Sequence, residues 1–298
     1  MLKPTPLRQL NIVDAAGRSG ALSAASGLVC IGDFLHVIAD DELGIASFRR
    51  SMPDQAGQLQ TLLPGLLPAE KVARKRLKPD WEALLLVPAS ADYPHGSLLA
   101  FGSGSTPARR RAVRLGLRQD GSLAGDVSTY SLERFYAAIA RKLDQINVEA
   151  VFLRADRIHF VSRGNRVHPI STVVSCLLVD WLVALTEPEQ PLPALTLTAV
   201  TLPSLRDVVA SVSDAVALAD GWLATAIAEA TDDTYHDGPC VGAALARFDD
   251  RHRLVGWWPL AEPIKLEGLV IAGDELLLVN DPDDAAIPAQ LFSCRFPR

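Results

Sequence analysis

Apolar and polar positions along the 298-residue chain fall into one pattern that recurs five times. A small polar or acidic residue is followed by Gly or Ala. An apolar run, a turn, a second apolar run and a polar end come next. The copies run from Ser26 to Asp40, Glu82 to Ser103, Glu149 to Arg163, Asp214 to Glu229 and Glu267 to Asp281. In four copies the repeat spans 14 positions (26 to 40, 149 to 163, 214 to 228 and 267 to 281). The second copy is longer because Pro88 to Gly96 is inserted at its turn. The other turns read Gly32-Asp33, Ala155-Asp156, Asp220-Gly221 and Gly273-Asp274, residue types that tolerate positive φ in hairpins. Each apolar run is of strand length. Each copy is therefore a β-hairpin.

The opening residues stand at 26, 82, 149, 214 and 267, and the wrap through the C-terminus back to 26 adds an interval of 57. That interval matches the others, as a closed ring requires. Two more strands follow most hairpins: Leu43 to Arg49 and Gln58 to Leu63, Arg111 to Leu117 and Leu123 to Thr129, Ser171 to Leu182 and Ala194 to Leu202, Val241 to Phe248 and Arg253 to Trp258. After the fifth hairpin only Gln290 to Phe296 remains, and Leu7 to Val13 is a spare strand at the start. The pattern predicts an all-β, five-bladed β-propeller spanning 1–298 as a single domain, closed by its N-terminal strand. A six-bladed ring is the alternative, but no sixth opening residue is visible. One segment departs from strand periodicity. Leu132, Phe135, Ile139, Leu143 and Ile146 recur at helical spacing, which predicts an inserted helix over 131–144 with Ser131 as cap, lying on the rim.

Composition narrows the class. The chain is 49% hydrophobic and 21% charged, an ordinary soluble mix, and its net charge of -6 argues against nucleic acid as a partner. Met1 to Arg8 has no apolar core of the secretory type. The longest apolar stretch, Val173 to Leu185, carries Asp180 and falls short of the roughly 20 residues a bilayer span needs, so no membrane partner is expected. Cys30, Cys176, Cys240 and Cys294 are isolated, with no C-x-x-C, which excludes paired zinc ligands. They read as buried thiols in a reducing cytoplasm.

Propeller geometry sends the opening residues to one mouth of the central channel. Glu82, Glu149, Asp214 and Glu267, with Ser26, converge there, and the second-strand ends bring Asp40, Asp41, Arg163, Asn165, Glu229, Asn280 and Asp281 to the same face. Asp232, Asp233, Asp283 and Asp284 add acid. Carboxylates drawn to one axis need compensation. One reading is a divalent cation, Ca²⁺ or Mg²⁺, held by Glu82, Glu149, Asp214 and Glu267. A second is that each opening residue bonds backbone N–H groups of the next blade and sets blade spacing. A third is a water site. No organic cofactor is called for.

Charge is also unevenly distributed. Lys71 to Arg118 carries a net +7, against -13 for the rest. The loop Gly102 to Pro107 leads to Arg109, Arg110 and Arg111, and small residues with free N–H groups beside arginines suit an anion. Ser103, Arg109 and Arg111 are therefore candidate contacts for a small-molecule or anionic ligand; the alternative is an ordinary strand entry with alternate side chains in solvent. The loop lacks a P-loop ending. His36 and His159 both lie ten residues after their opening residues, which is repeat geometry. No Gly-x-Ser-x-Gly or His-Glu-x-x-His motif is present.

The segments Lys78-Pro79-Asp80-Trp81-Glu82-Ala83-Leu84, Leu99 to Ser105 and Ile146 to Ala150 resemble the phytase-like and SdiA-regulated β-propellers of bacteria. Phytase-like propellers hold Ca²⁺ through face carboxylates and hydrolyse phosphomonoesters. The resemblance implies Glu82, Glu149, Asp214 and Glu267 as ion ligands, and Arg109 and Arg111 as phosphate contacts. Two functions stand side by side: a binding module for a small or anionic ligand, and a metal-assisted hydrolase of phosphoesters or lactone-type esters with Glu149 or Glu267 as ligand or base.

Overall fold

The computed structural model describes residues 1–164, 167–230 and 238–296. Five sheets form the blades of a five-bladed propeller. The innermost strands, in blade order I to V, are Ala25–Ile31, Trp81–Val87, Val148–Arg154, Ser211–Leu218 and Leu266–Ala272. Each packs against the inner strands of both neighbours, and blade V returns to blade I. These strands are apolar on both faces because both faces are covered by adjacent blades. Five hydrophobic clusters result, one at every blade interface.

Closure uses the N-terminus, as the missing fifth-blade strand predicts. Thr5–Gln9 pairs antiparallel with Gln290–Arg295, so blade V takes its outermost strand from the chain start. The spare segment is split in two, however. Leu10 carries the chain across, and Asn11–Val13 pairs parallel with Gly57–Thr61 at the edge of blade I. Ser19–Ala21 adds a sixth strand there. The first residues thus join blades V and I through backbone hydrogen bonds.

The structure contains three helices among the described residues, where the sequence predicts one. Helix α1, Lys71–Leu77, follows Glu70, whose carboxylate accepts from the Val72 and Ala73 N–H groups. It has few apolar residues and no periodicity to reveal it. Helix α2, Glu133–Ala140, is shorter than the predicted 131–144 segment; Leu132 immediately precedes it, and Ser131 Oγ accepts from the Glu133 N–H at 3.3 Å. Helix α3, Leu178–Thr186, overturns the strand predicted over Ser171 to Leu182: the strand ends at Leu177. The run is apolar throughout, so length alone could not divide strand from helix. Helices α2 and α3 fill the wedge between blades II and III. Trp181 of α3 lies 5.7 Å from Phe101 and 5.5 Å from Phe160, and Phe135 of α2 lies 4.8 Å from Phe160.

The closing strand bridges the two ends of the chain, and its loss leaves Gln290–Arg295 as an open edge. Removing residues 1–9 is expected to lower the melting temperature by more than about 10 °C, given roughly 2–4 °C per kcal/mol at this size. Thermal unfolding followed by circular dichroism checks this; an unchanged midpoint would refute closure by this strand.

Candidate functional site

Each inner strand carries a one-residue bulge near its start, and the extra residues are Ser26, Glu82, Glu149, Ser213 and Glu267. Four of them are the predicted opening residues. In blade IV the position belongs to Ser213, and Asp214 comes one residue later. A bulge reaims its side chain, and here all five are turned into the molecule and buried. The two serines act alike. Ser26 Oγ donates to the Trp81 carbonyl, and Ser213 Oγ donates to the Leu266 carbonyl at 2.6 Å. Each acceptor immediately precedes the bulge glutamate of the next blade. Asp214 accepts from Ala215 N at 2.7 Å and from Leu269 N of blade V at 2.6 Å. It therefore pins one blade to the next, and it still lies within the field of Glu149.

The remaining acids form two linked groups. In the first, Lys78 bridges Asp40 and Asp80, with Nζ 3.0 Å from Asp80 Oδ1. Asp80 Oδ2 accepts from Ser103 Oγ at 2.5 Å and from Arg109 at 2.8 Å. Glu82 adjoins this group and is 9% exposed. In the second, Arg163 lies 3.3 Å from Glu149 and also pairs with Glu229. Asn147 donates to Glu149 as well. Lys265 Nζ meets Glu229 and Glu267 at 3.4 Å each, Asp281 at 2.9 Å and Asp283 at 2.7 Å. Asn280 Oδ1 accepts from Gln290 N and has a structural task. Asn165, Asp232 and Asp233 lie outside the described residues.

The basic segment is the counter-charge of this mouth. Lys78 and Arg109 are turned inward, and Arg74 of α1 reaches Asp41 at 3.3 Å and Glu42 at 3.5 Å. The three consecutive arginines do not form one anion cluster. Arg109 is 3% exposed and held by Asp80, Arg110 pairs with Glu133 at 2.7 Å, and Arg111 is half-buried at the start of a strand. Lys78, Asp80 and Lys265 are the residues sequence reasoning passed over as site members. Asp80 and Lys265 stand two residues before bulge glutamates, which is the signal that could have found them. His36 is structural: it bonds Ser47 Oγ and the Gly121 carbonyl, both at 2.9 Å.

Acid outnumbers base at the mouth, and burial is severe. Burial, opposed by Lys78, pushes Asp40 up to about 7. Burial, opposed by Arg163, pushes Glu149 up to about 7. Burial followed by neighbouring carboxylates holds Glu82 well above the usual range, and burial raises Glu267 despite Lys265. Asp40, Asp80 and Glu82 each offer an oxygen within 4.8 Å of the others, a grouping that could hold a metal ion.

A model of the family of unknown function DUF6929 matches residues 21–296. The chain belongs to that family. No curated protein matches this DUF6929 member. Among solved structures, it is similar to the PQQ-bound aldose sugar dehydrogenase of Streptomyces coelicolor. The identity is 13% over 99% of this chain and 98% of that one, with a TM-score of 0.51, a likeness of fold. A luciferin-regenerating enzyme matches at 9% identity over 93% and 92% of the two chains, TM-score 0.46. A glycosyl hydrolase from Bacteroides ovatus matches at 9% identity over 98% and 93%, TM-score 0.40. Family membership thus rests on DUF6929 and not on the phytase-like or SdiA-regulated propellers. No helix among the described residues is long and apolar enough to cross a membrane.

Two tests follow from the geometry. Ser26→Ala and Ser213→Ala each deprive a buried carbonyl of its hydroxyl donor and should cost about 1–3 kcal/mol by urea unfolding; a change within error would deny the inter-blade role. The second test is pH. A carboxyl raised in the folded state makes the native protein bind more protons than the unfolded chain, so stability falls as pH rises through the folded value. Surface aspartates held low, such as Asp249 at about 2, have completed their opposite contribution by about pH 4. His159, lowered by burial to about 4, gives stability that rises with pH up to its unfolded value near 6.5. Between about pH 6.5 and 8 the buried carboxyls of Asp40 and Glu149 therefore dominate. In chelator, the melting temperature is expected to fall over that window, and Glu149→Gln should flatten the fall. A rising melting temperature would contradict the raised carboxyls.

Proposed function

We propose that the channel mouth is a divalent-cation site formed by Asp40, Asp80 and Glu82, and that the propeller is a binding module for a small ligand held at this face. The observation that carries the reading is Glu82. Its carboxyl is nine-tenths buried beside two other carboxylates, and among the described residues it has no hydrogen-bond or ion-pair partner. An all-oxygen donor set suits a hard ion, Ca²⁺ or Mg²⁺. The Lys78 ammonium, on Asp40 and Asp80, competes for the same oxygens. A bound ion would favour the ionised form of both Glu82 and Asp40, against the burial that raises them. The four free cysteines suit a reducing compartment such as the cytoplasm.

The resemblance to phytase-like propellers supports a second reading, metal-assisted hydrolysis of a phosphoester or lactone. Glu149 favours it, because a carboxyl near 7 at the mouth is poised as a general base. An ion there would supply polarisation of the substrate oxygen. Arg163 would hold Glu149 in place through its 3.3 Å contact.

Calorimetric titration of chelator-treated protein with CaCl2 and MgCl2 at pH 8 tests the cation site. Binding is expected, weakened at least tenfold by Glu82→Gln and strengthened by Lys78→Gln, which removes the competing ammonium. No heat and no change in melting temperature would overturn it. A panel of aryl phosphates and lactones with each ion separates the two readings, since turnover lost in Glu149→Gln supports the hydrolase and turnover by no substrate leaves the binding module.

A further inference from the structure

A cavity of about 600 Å³ opens on the mouth face between blades IV and V, under the N-terminal residues. Its lining residues are distinct from Asp40, Asp80 and Glu82 of blades I and II, although blade V adjoins blade I and Asp281 lies within the field of Asp40. Its size is that of a small-molecule site. Leu2 closes one side, fixed by its N–H to the Pro259 carbonyl at 2.8 Å. Pro4, Pro6, Pro263, Pro282 and Phe292 give rigid apolar walls. Against them stand Lys265, Asp281 and Asp283.

The charge balance of this wall selects the ligand. Lys265 has three N–H donors and is 8% exposed, yet four carboxylates surround it: Glu229, Glu267, Asp281 and Asp283. Arg163 compensates Glu229 from the other side. The cluster remains short of positive charge and of N–H donors. Burial, opposed by Lys265 and reinforced by Asp281, pushes Asp283 up to about 6, in keeping with that deficit. Asp283 is the most accessible of the four, its side chain 42% exposed, and only its Oδ1 is engaged by Lys265. Its φ of 56° lies in the left-handed region, where the short Asp side chain is tolerated. The other charged groups lining the cavity are Lys3 and Glu262.

We propose that this cavity binds a small protonated amine, whose ammonium pairs with Asp283 and whose hydrocarbon body lies against the proline and Phe292 walls. This extends the ligand-binding reading to a named chemical class and does not depend on the cation site.

Three molecules of matched shape test the assignment: cyclohexylamine, cyclohexanol and cyclohexanecarboxylate, titrated into the full chain at pH 7.5 by ligand-observed NMR and calorimetry. The amine is expected to bind at least tenfold tighter than the alcohol, and the carboxylate not at all. Asp283→Asn keeps a residue that tolerates the left-handed backbone and should weaken the amine about tenfold at unchanged melting temperature. Lys3→Gln removes a like charge from the lining and should tighten it, a check that holds even where Asp283→Asn unfolds the protein. Glu82→Gln should leave amine binding unchanged while weakening Ca²⁺ binding at least tenfold, so failure of one site is distinguishable from failure of the other. Equal binding of alcohol and amine, tighter binding of the carboxylate, or weaker amine binding in Lys3→Gln would overturn the proposal. Tighter binding of Nα-acetyl-lysine methylamide than of cyclohexylamine would reassign the cavity to a protein's lysine side chain and overturn the small-molecule reading.

Discussion

Five strands that start around one axis place their first side chains in one another's electric field, in a region from which water is largely excluded. Three of those side chains are glutamates, and the strand ends bring Asp40, Glu229 and Asp281 beside them. An isolated buried carboxylate is costly, so it must be paired, bonded or protonated. Asp80 is paired with Lys78 and Arg109, Asp214 is bonded by two backbone N–H groups, and burial beside other carboxylates raises Glu82 well above the usual carboxyl range.

The need for counter-charge explains features remote from the axis. The +7 segment is folded so that Lys78, Arg74 and Arg109 turn inward onto blade I and blade II acids. Helix α1 delivers two of these groups and buries almost no apolar surface. The hydrophobic interior is divided accordingly. It lies between blades in five separate clusters, while the axis is left to polar groups. Helices α2 and α3 enlarge one cluster, where aromatic side chains fill the wedge between blades II and III.

Much of the fold was legible because it repeats. Hairpin turns and apolar runs of strand length fix the blade count, and a chain end one strand short announces closure. Four of the five bulge residues were readable for the same reason. Ser213 was not, because Asp214 stands beside it and satisfies the same pattern; only the pairing of Val212 with Ala226 and Asp214 with Thr225 shows which residue is extra. Helix α3 was hidden by uniform apolarity, and α1 by its absence.

The local sequence determined the hairpins, their number and the end of the chain that closes the ring, since turn chemistry and alternation act over a few residues. Which acids share a field was decided by the tertiary structure alone. Lys265 lies 36 residues after Glu229 and meets it only through the packing of blade V on blade IV. Asp40 and Asp80 likewise belong to different blades and meet at Lys78. Electrostatic coupling falls with distance through space and takes no account of distance along the chain. The partners of a buried charge therefore exist only once the ring has closed.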